Sequence, residues 1–222
     1  MGRENRKESV AAFHRERILC AAEVLFTAQG FEQTTISEIA DASGYSRRTV
    51  YAYYDSKEEM RRGVVEKALI ALEEEMAGAG EQDGFLAQYR GFCQAAVRFH
   101  REFPFAAQCL RMADSGALAA SPSPTVQRIL RRGEALQERW IRWIKEGQRS
   151  GCVRRDVIPA LSVPLLWTGL DALLVLADSK GDYLTNALGL PASELLDYGF
   201  RQLIRAILAH PDAEEEKVCC RT

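Results

Sequence analysis

The 222-residue sequence predicts an all-α protein, and three observations carry that prediction. Helical periodicity recurs from end to end. No stretch alternates apolar and polar residues for long enough to make a strand. Glycine, proline and serine gather where one amphipathic stripe stops and the next begins. The chain is 47% hydrophobic and 27% charged, which excludes extended disorder, collagen and low-complexity fibres. It carries 29 basic and 31 acidic residues, a net charge of −2 and an isoelectric point of about 6.0. That balance excludes a protein that coats nucleic acid in bulk, because such domains have isoelectric points above about 9.

Each helix has a local reason. Ile18, Leu19, Ala22, Leu25 and Phe26 form one apolar stripe, which Gly30 ends with Phe31 placed for the hydrophobic contact of a glycine C-cap. Thr35-Ile36-Ser37-Glu38 reads as a capping box. It opens a helix that turns Ile36, Ile39 and Ala40 inward and stops at Gly44. Ser46 caps a third, short helix, and Ser56-Lys57-Glu58-Glu59 reads as a second capping box. The fourth helix carries Val64, Ala68, Leu69 and Leu72 to about Met76, and Gly78-Ala79-Gly80 is expected to break the chain. Further helices are expected over 83–102, 105–114, 123–150, 159–179 and 192–209. They are punctuated by Pro104, the Ser/Pro segment 121–124, Gly151, Pro159 and a loop over 181–191.

The same reading bounds compartment and chemistry. Cys20, Cys93, Cys109, Cys152, Cys219 and Cys220 are scattered, and the only histidines are His14, His100 and His210, so neither a disulfide scaffold nor a zinc site is expected. No cofactor is expected, since no dinucleotide, Walker A, nucleophile-elbow or HExxH pattern occurs. Residues 1–10 lead into no apolar core of a signal peptide. The most apolar stretch, 161–177, contains Pro164 and Asp171 and lacks basic flanks, so it reads as a fully buried helix rather than a membrane span. A soluble cytoplasmic protein without membrane attachment is the expectation.

Residues 35–54 hold the sharpest signal. Two short helices are separated by a turn containing Gly44-Tyr45-Ser46, a helix-turn-helix in which the second helix is offered to the major groove. Gly44 permits a left-handed backbone, and Ala40 is small where two helices approach. Ser46 caps a helix whose free amides can face phosphates, and Arg47 and Arg48 sit in its first turn, with the geometry that matches guanine O6 and N7. Thr49, Tyr51 and Tyr53 offer hydroxyls to phosphates, and Lys57 a point charge. Two alternatives stand beside this: one arginine serves phosphate or a neighbouring acid, and the Tyr51 ring packs on the first helix.

From Thr34-Thr35-Ile36-Ser37-Glu38-Ile39-Ala40 through Gly44-Tyr45-Ser46-Arg47-Arg48-Thr49-Val50-Tyr51 to Tyr53, Tyr54 and Lys57, the sequence resembles the DNA-binding signature of the tetracycline-repressor (TetR) family. It departs at Ser43, where alanine is usual, and at Tyr54, where phenylalanine is usual. The resemblance implies a three-helix DNA-binding domain, residues 1–56, and a larger helical domain, 57–222, that dimerises and binds an apolar or amphipathic effector. It also implies a homodimer on a palindromic double-stranded operator, released when the effector binds. Carried over by position, the DNA-contacting residues are Thr35, Ser37, Ser46, Arg47, Arg48, Thr49, Tyr51, Tyr53 and Lys57.

In the larger domain, 159–179 is apolar nearly all round and 192–209 carries a wide stripe from Leu195 to Leu208, as a four-helix dimer interface requires. Tyr89, Phe92, Phe99, Phe105, Met112, Trp140, Trp143, Trp167 and Asp171 are the candidates to line an effector pocket. The competing reading is that they fill the core. Asp171, a carboxylate in the most apolar helix, needs a solvent path, a partner such as Arg201 or Arg205, or a cationic ligand; a place at the dimer seam or pocket rim is the expectation. Residues 128–155 carry nine Lys/Arg against three acids, read as a solvated face before a second nucleic-acid surface.

Three function classes are weighed. A ligand-released repressor leads; a regulator without effector control, or an activator, uses the same head; an enzyme lacks any recognisable catalytic motif. Charge by segment sharpens the first. Residues 1–57 hold eight basic and eight acidic residues, yet 44–54 hold two arginines and no acid. The positive charge is local to the reading helix, which fits recognition of a short site with weak non-specific affinity.

Overall fold

The structure, a computed structural model, describes residues 3–113, 116, 118 and 120–211. Among them nine helices occur: α1 Arg3–Gln29, α2 Ile36–Ser43, α3 Arg47–Tyr53, α4 Lys57–Gly80, α5 Phe85–Glu102, α6 Pro104–Arg111, α7 Pro124–Arg149, α8 Pro159–Leu188 and α9 Ala192–Arg205. The fold class is all-α, and the one extended pairing among these residues is an isolated antiparallel bridge between Val153 and Leu208. Cys219 and Cys220 lie outside the described residues.

Contacts gather the chain into two compact units, residues 1–70 with 103–131, and 71–102 with 132–222. The first is built on a core of Ile18, Ala22, Phe26, Ile39, Val50, Met60 and Val64, to which α6 adds Phe105. Phe105 joins because its ring meets Phe26 at 5.0 Å, and Phe26 meets Phe31 at 5.2 Å. The second unit has its own core, with Tyr89, Phe92, Ile144, Leu170, Phe200 and Ile204 fully buried. There the Tyr89 hydroxyl donates to the Phe200 carbonyl at 2.9 Å, so a buried phenol brings its own acceptor.

Several boundaries differ from expectation for identifiable reasons. Helix α4 runs through Gly78 to Gly80, because Met76 and Ala79 on its inner face are buried and offset the roughly 1 kcal/mol helix penalty of each glycine. Helix α6 stops at Arg111, and α9 ends at Arg205 before the backbone of 207–209 turns to bond residues 152 and 154. Gly181 does not open a loop. Helix α8 continues past it to Gly189, whose left-handed φ of 67° lets its N–H reach the carbonyls of Leu184 and Thr185.

That extension changes what 161–177 is. The helix is long enough and apolar enough, by length and composition, to cross a membrane, and only 28% of its most apolar window is buried within the chain. It is therefore not a fully buried helix of a single copy. Leu161, Leu165, Thr168, Ala172, Leu176 and Tyr183 are exposed along one stripe at spacings of three, four and seven.

The opposite face of α8 is committed to α9. A Cβ on Gly169 would stand 2.6 Å from Leu203 Cδ2, and one on Gly199 would stand 2.5 Å from Leu173 Cδ2. Each glycine receives a leucine of the other helix, which fixes their register.

Candidate nucleic-acid interface

The capping box forms as the sequence predicts. Thr35, extended at φ −106° and ψ 156°, accepts from the Glu38 N–H at 3.3 Å, while Glu38 Oε2 accepts from the Thr35 N–H at 2.7 Å and its hydroxyl at 2.8 Å. The Thr35 N–H, then its hydroxyl, hold the Glu38 carboxyl below the usual carboxylate range. Helix α2 ends in a Schellman motif. Gly44, at φ 75°, donates to Asp41 O at 3.1 Å, and Tyr45 donates to Ala40 O at 2.9 Å.

Ser46 starts α3 and accepts from the Thr49 N–H at 3.1 Å; the two hydroxyls stand 2.9 Å apart. Val50 anchors the helix in the core, and Tyr54 caps its end by donating its N–H to the Val50 carbonyl at 3.0 Å, while its hydroxyl donates to the Arg15 carbonyl of α1 at 3.4 Å. Burial pushes that phenol up to about 12, so it donates as a neutral group. Both departures from the family signature are accommodated. The buried Ser43 hydroxyl donates to Ala40 O at 3.0 Å, and Tyr54 has its partner on α1.

With Val50 turned inward, α3 leaves Arg47, Arg48, Tyr51 and Ala52 exposed as one face. Tyr51 is 52% exposed, so its ring is open to a partner. Tyr53 is half-buried, with the Arg15 guanidinium 5.7 Å over its ring and the His14 ring 5.8 Å away. Thr35 and Ser37 are exposed at the start of α2, and Thr49 is half-buried with its hydroxyl engaged by Ser46.

Lys57 has an occupied ammonium. Its Nζ donates to the carbonyls of Phe31 at 2.7 Å, Thr34 at 2.9 Å and Glu32 at 3.4 Å, and lies 4.3 Å over the Phe31 ring. The second capping box forms by half. Ser56 accepts from the Glu59 N–H, but the Glu59 carboxylate turns away to Arg62, Ser123 and Thr125, which give it stronger partners.

Sequence reading missed the residues of α1 that hold this motif in place. Arg17 donates to Ser43 O at 3.0 Å and lies 5.4 Å over the Tyr45 ring. His14 Nδ1 meets the Tyr45 hydroxyl at 2.5 Å. Polar residues three apart on a helix whose neighbouring face is apolar were the available signal.

The pocket candidates are divided between the two units. Tyr89, Phe92, Phe99, Trp140 and Trp143 are buried in the second unit, where Phe92 meets Trp140 at 4.9 Å and Trp140 meets Trp143 at 5.6 Å. Trp167 and Asp171 are half-buried on α8. Phe105 and Met112 belong to the first unit, where both line a cavity of about 720 Å³.

Comparison with known proteins agrees with this geometry. The model of the tetR family of bacterial regulatory proteins matches residues 18–64, which run from the core stripe of α1 into α4. The uncharacterized HTH-type transcriptional regulator YfiR of Bacillus subtilis is 46% identical over 52 residues, 23% of this chain and 25% of that protein. The HTH-type transcriptional repressor BepR of Brucella suis is 35% identical over 78 residues, 35% of this chain and 37% of that protein. The matched segments thus span roughly a quarter to a third of these relatives. Among solved structures, the transcriptional regulator FadR from Bacillus subtilis in complex with stearoyl-CoA superposes with a TM-score of 0.64 at 17% identity, covering 85% of this chain and 97% of that one.

Proposed function

The chain belongs to the tetR family of bacterial regulatory proteins, and from that premise we propose that it is a cytoplasmic transcriptional repressor that binds double-stranded operator DNA as a homodimer. The matched curated relatives are transcriptional regulators rather than enzymes. The observation that carries the reading is the exposed face of α3. Arg47, Arg48 and Tyr51 project from a short helix whose two ends are capped and whose inner face is locked by Val50. Arg47 and Arg48 read base edges, Tyr51 and the start of α2 at Thr35 and Ser37 meet phosphates, and Ser46, Thr49, Tyr53 and Lys57 hold the reading helix in position.

The exposed stripe of α8 and the adjoining residue Tyr198 of α9 supply the dimer interface. Leu165, 72% exposed in the single chain, is the apolar contact most in need of a partner. A two-fold pairing there matches the two-fold symmetry of a palindromic operator. BepR, named a repressor, and FadR, solved with stearoyl-CoA, support repression released by an amphipathic effector.

Gel-shift binding to the DNA upstream of its own gene tests the reading. Arg47→Ala weakens specific binding by about 1–3 kcal/mol if the guanidinium is bidentate to guanine. A sequence-indifferent shift, unchanged by that substitution, would refute it.

A further inference from the structure

We propose that the 720 Å³ cavity of the first unit is a binding site for an amphipathic organic anion, an apolar body with a single carboxylate head. Its link to DNA release rests on the regulator reading; the site itself does not.

The cavity lies wholly within the first unit, bounded by the turn at 29–33, the first half of α4, α6 and the start of α7. Its volume is that of small-molecule sites, roughly 300–1,000 Å³. Val65, Phe105, Val126 and Ile129 give it apolar walls. Among the described residues its charged lining is two guanidinium groups, Arg61 and Arg62, against one carboxylate, Glu32, which favours an anionic head over a cationic one.

Arg61 is the cation able to take that head. Its partners are Glu58 at 2.7 Å, an i,i+3 pair with side chains 41% and 45% exposed, and the Phe31 ring, 5.1 Å from its guanidinium. Such surface pairs contribute little and exchange readily for another carboxylate. Arg62 is held instead by the Glu59 carboxylate, which is itself fixed by Thr125.

The position gives an occupant leverage on the reading helices. Phe31 is both a wall of the cavity and the residue whose carbonyl Lys57 grips at 2.7 Å, one turn before α2 begins. Phe105, which also lines it, packs on Phe26 of α1, as Phe31 does. A ligand that spreads Phe31 from Phe105 therefore acts on the turn that sets the start of α2.

Cys109 lines the cavity and reports its occupancy directly. Burial pushes its thiol up, so alkylation is followed at about pH 8.5, where thiolate is present. The full chain is treated with iodoacetamide, with dodecanoate or dodecyltrimethylammonium present, and alkylation is mapped by mass. Exposed Cys20 serves as the internal reference. Dodecanoate is expected to slow Cys109 roughly tenfold and leave Cys20 unchanged, with no comparable effect of the cation. Arg61→Gln raises the half-protecting dodecanoate concentration roughly tenfold without altering the urea transition. Unprotected Cys109 at concentrations where dialysis shows dodecanoate bound, equal protection by the cation, or no binding at all would each overturn the site. A gel shift of the ligand-free protein is scored separately. Failure there removes the regulator reading and leaves protection of Cys109 standing.

Discussion

Replacing Lys57 by methionine separates two roles that one ammonium cannot fill at once. Its Nζ meets the Phe31 and Thr34 carbonyls at 2.7 and 2.9 Å, with Glu32 at a weaker 3.4 Å. Hydrogen bonds to a charged group contribute about 1.5–3 kcal/mol each, so the two short ones set the scale. Methionine keeps the apolar stem over the Phe31 ring, and the turn carbonyls recover some water, which places the net loss at about 2–4 kcal/mol. Urea unfolding followed by far-UV circular dichroism measures it. The second measurement is the salt dependence of operator binding. A lysine spent on carbonyls leaves the slope of log affinity against log salt unchanged, whereas a lost phosphate contact lowers it by about 0.9 per site. Unchanged stability with a reduced slope would refute the staple and make Lys57 a direct phosphate ligand.

Three further outcomes are expected. Gly199→Val drives a side chain into Leu173, whose Cδ2 would lie 2.5 Å from the new Cβ, and lowers stability by about 1–3 kcal/mol in denaturant; an unchanged midpoint would show that α8 and α9 separate freely. Leu165→Lys yields a monomer in sedimentation, and a persisting dimer would place the interface elsewhere than the α8 stripe. Glu59 is held below the usual carboxylate range: burial alone would raise it, but the bonds from Thr125, Arg62 and Ser123 outweigh burial. A depressed folded pKa contributes stability above the unfolded value, about 4.3, that is lost as pH falls through the folded value. Thr125→Val is therefore destabilising at neutral pH, and its gap from the parent protein closes in acid; urea midpoints across that range give a constant gap if the bond is unimportant.

Legibility from sequence followed range. Thr35 with Glu38, Gly44 and the Ser46 cap were readable because each acts over three residues or one backbone angle. The Ser56 box was half right for the complementary reason. Its hydroxyl acts locally, but Glu59 had a better offer from Thr125, 66 residues away. The glycines at 78 and 181 misled, since burial and helical continuity outweigh an intrinsic penalty of about 1 kcal/mol. The exposure of α8 was equally hidden. Hydropathy says that a face avoids water without saying whether the same chain covers it.

The all-α class and the helix-turn-helix, with Arg47, Arg48 and Tyr51 on its second helix, were legible in the sequence itself, through periodicity, caps and the positive-φ Gly44. Only the tertiary structure decided that Lys57 grips the turn at 31–34, that His14 and Arg17 hold Tyr45 and Ser43, and that residues 103–131 fold with the first unit to enclose a cavity. The physical reason is the same in each case. Local preferences state which face of a helix is apolar, while the identity of the facing surface depends on distances between residues far apart in the chain.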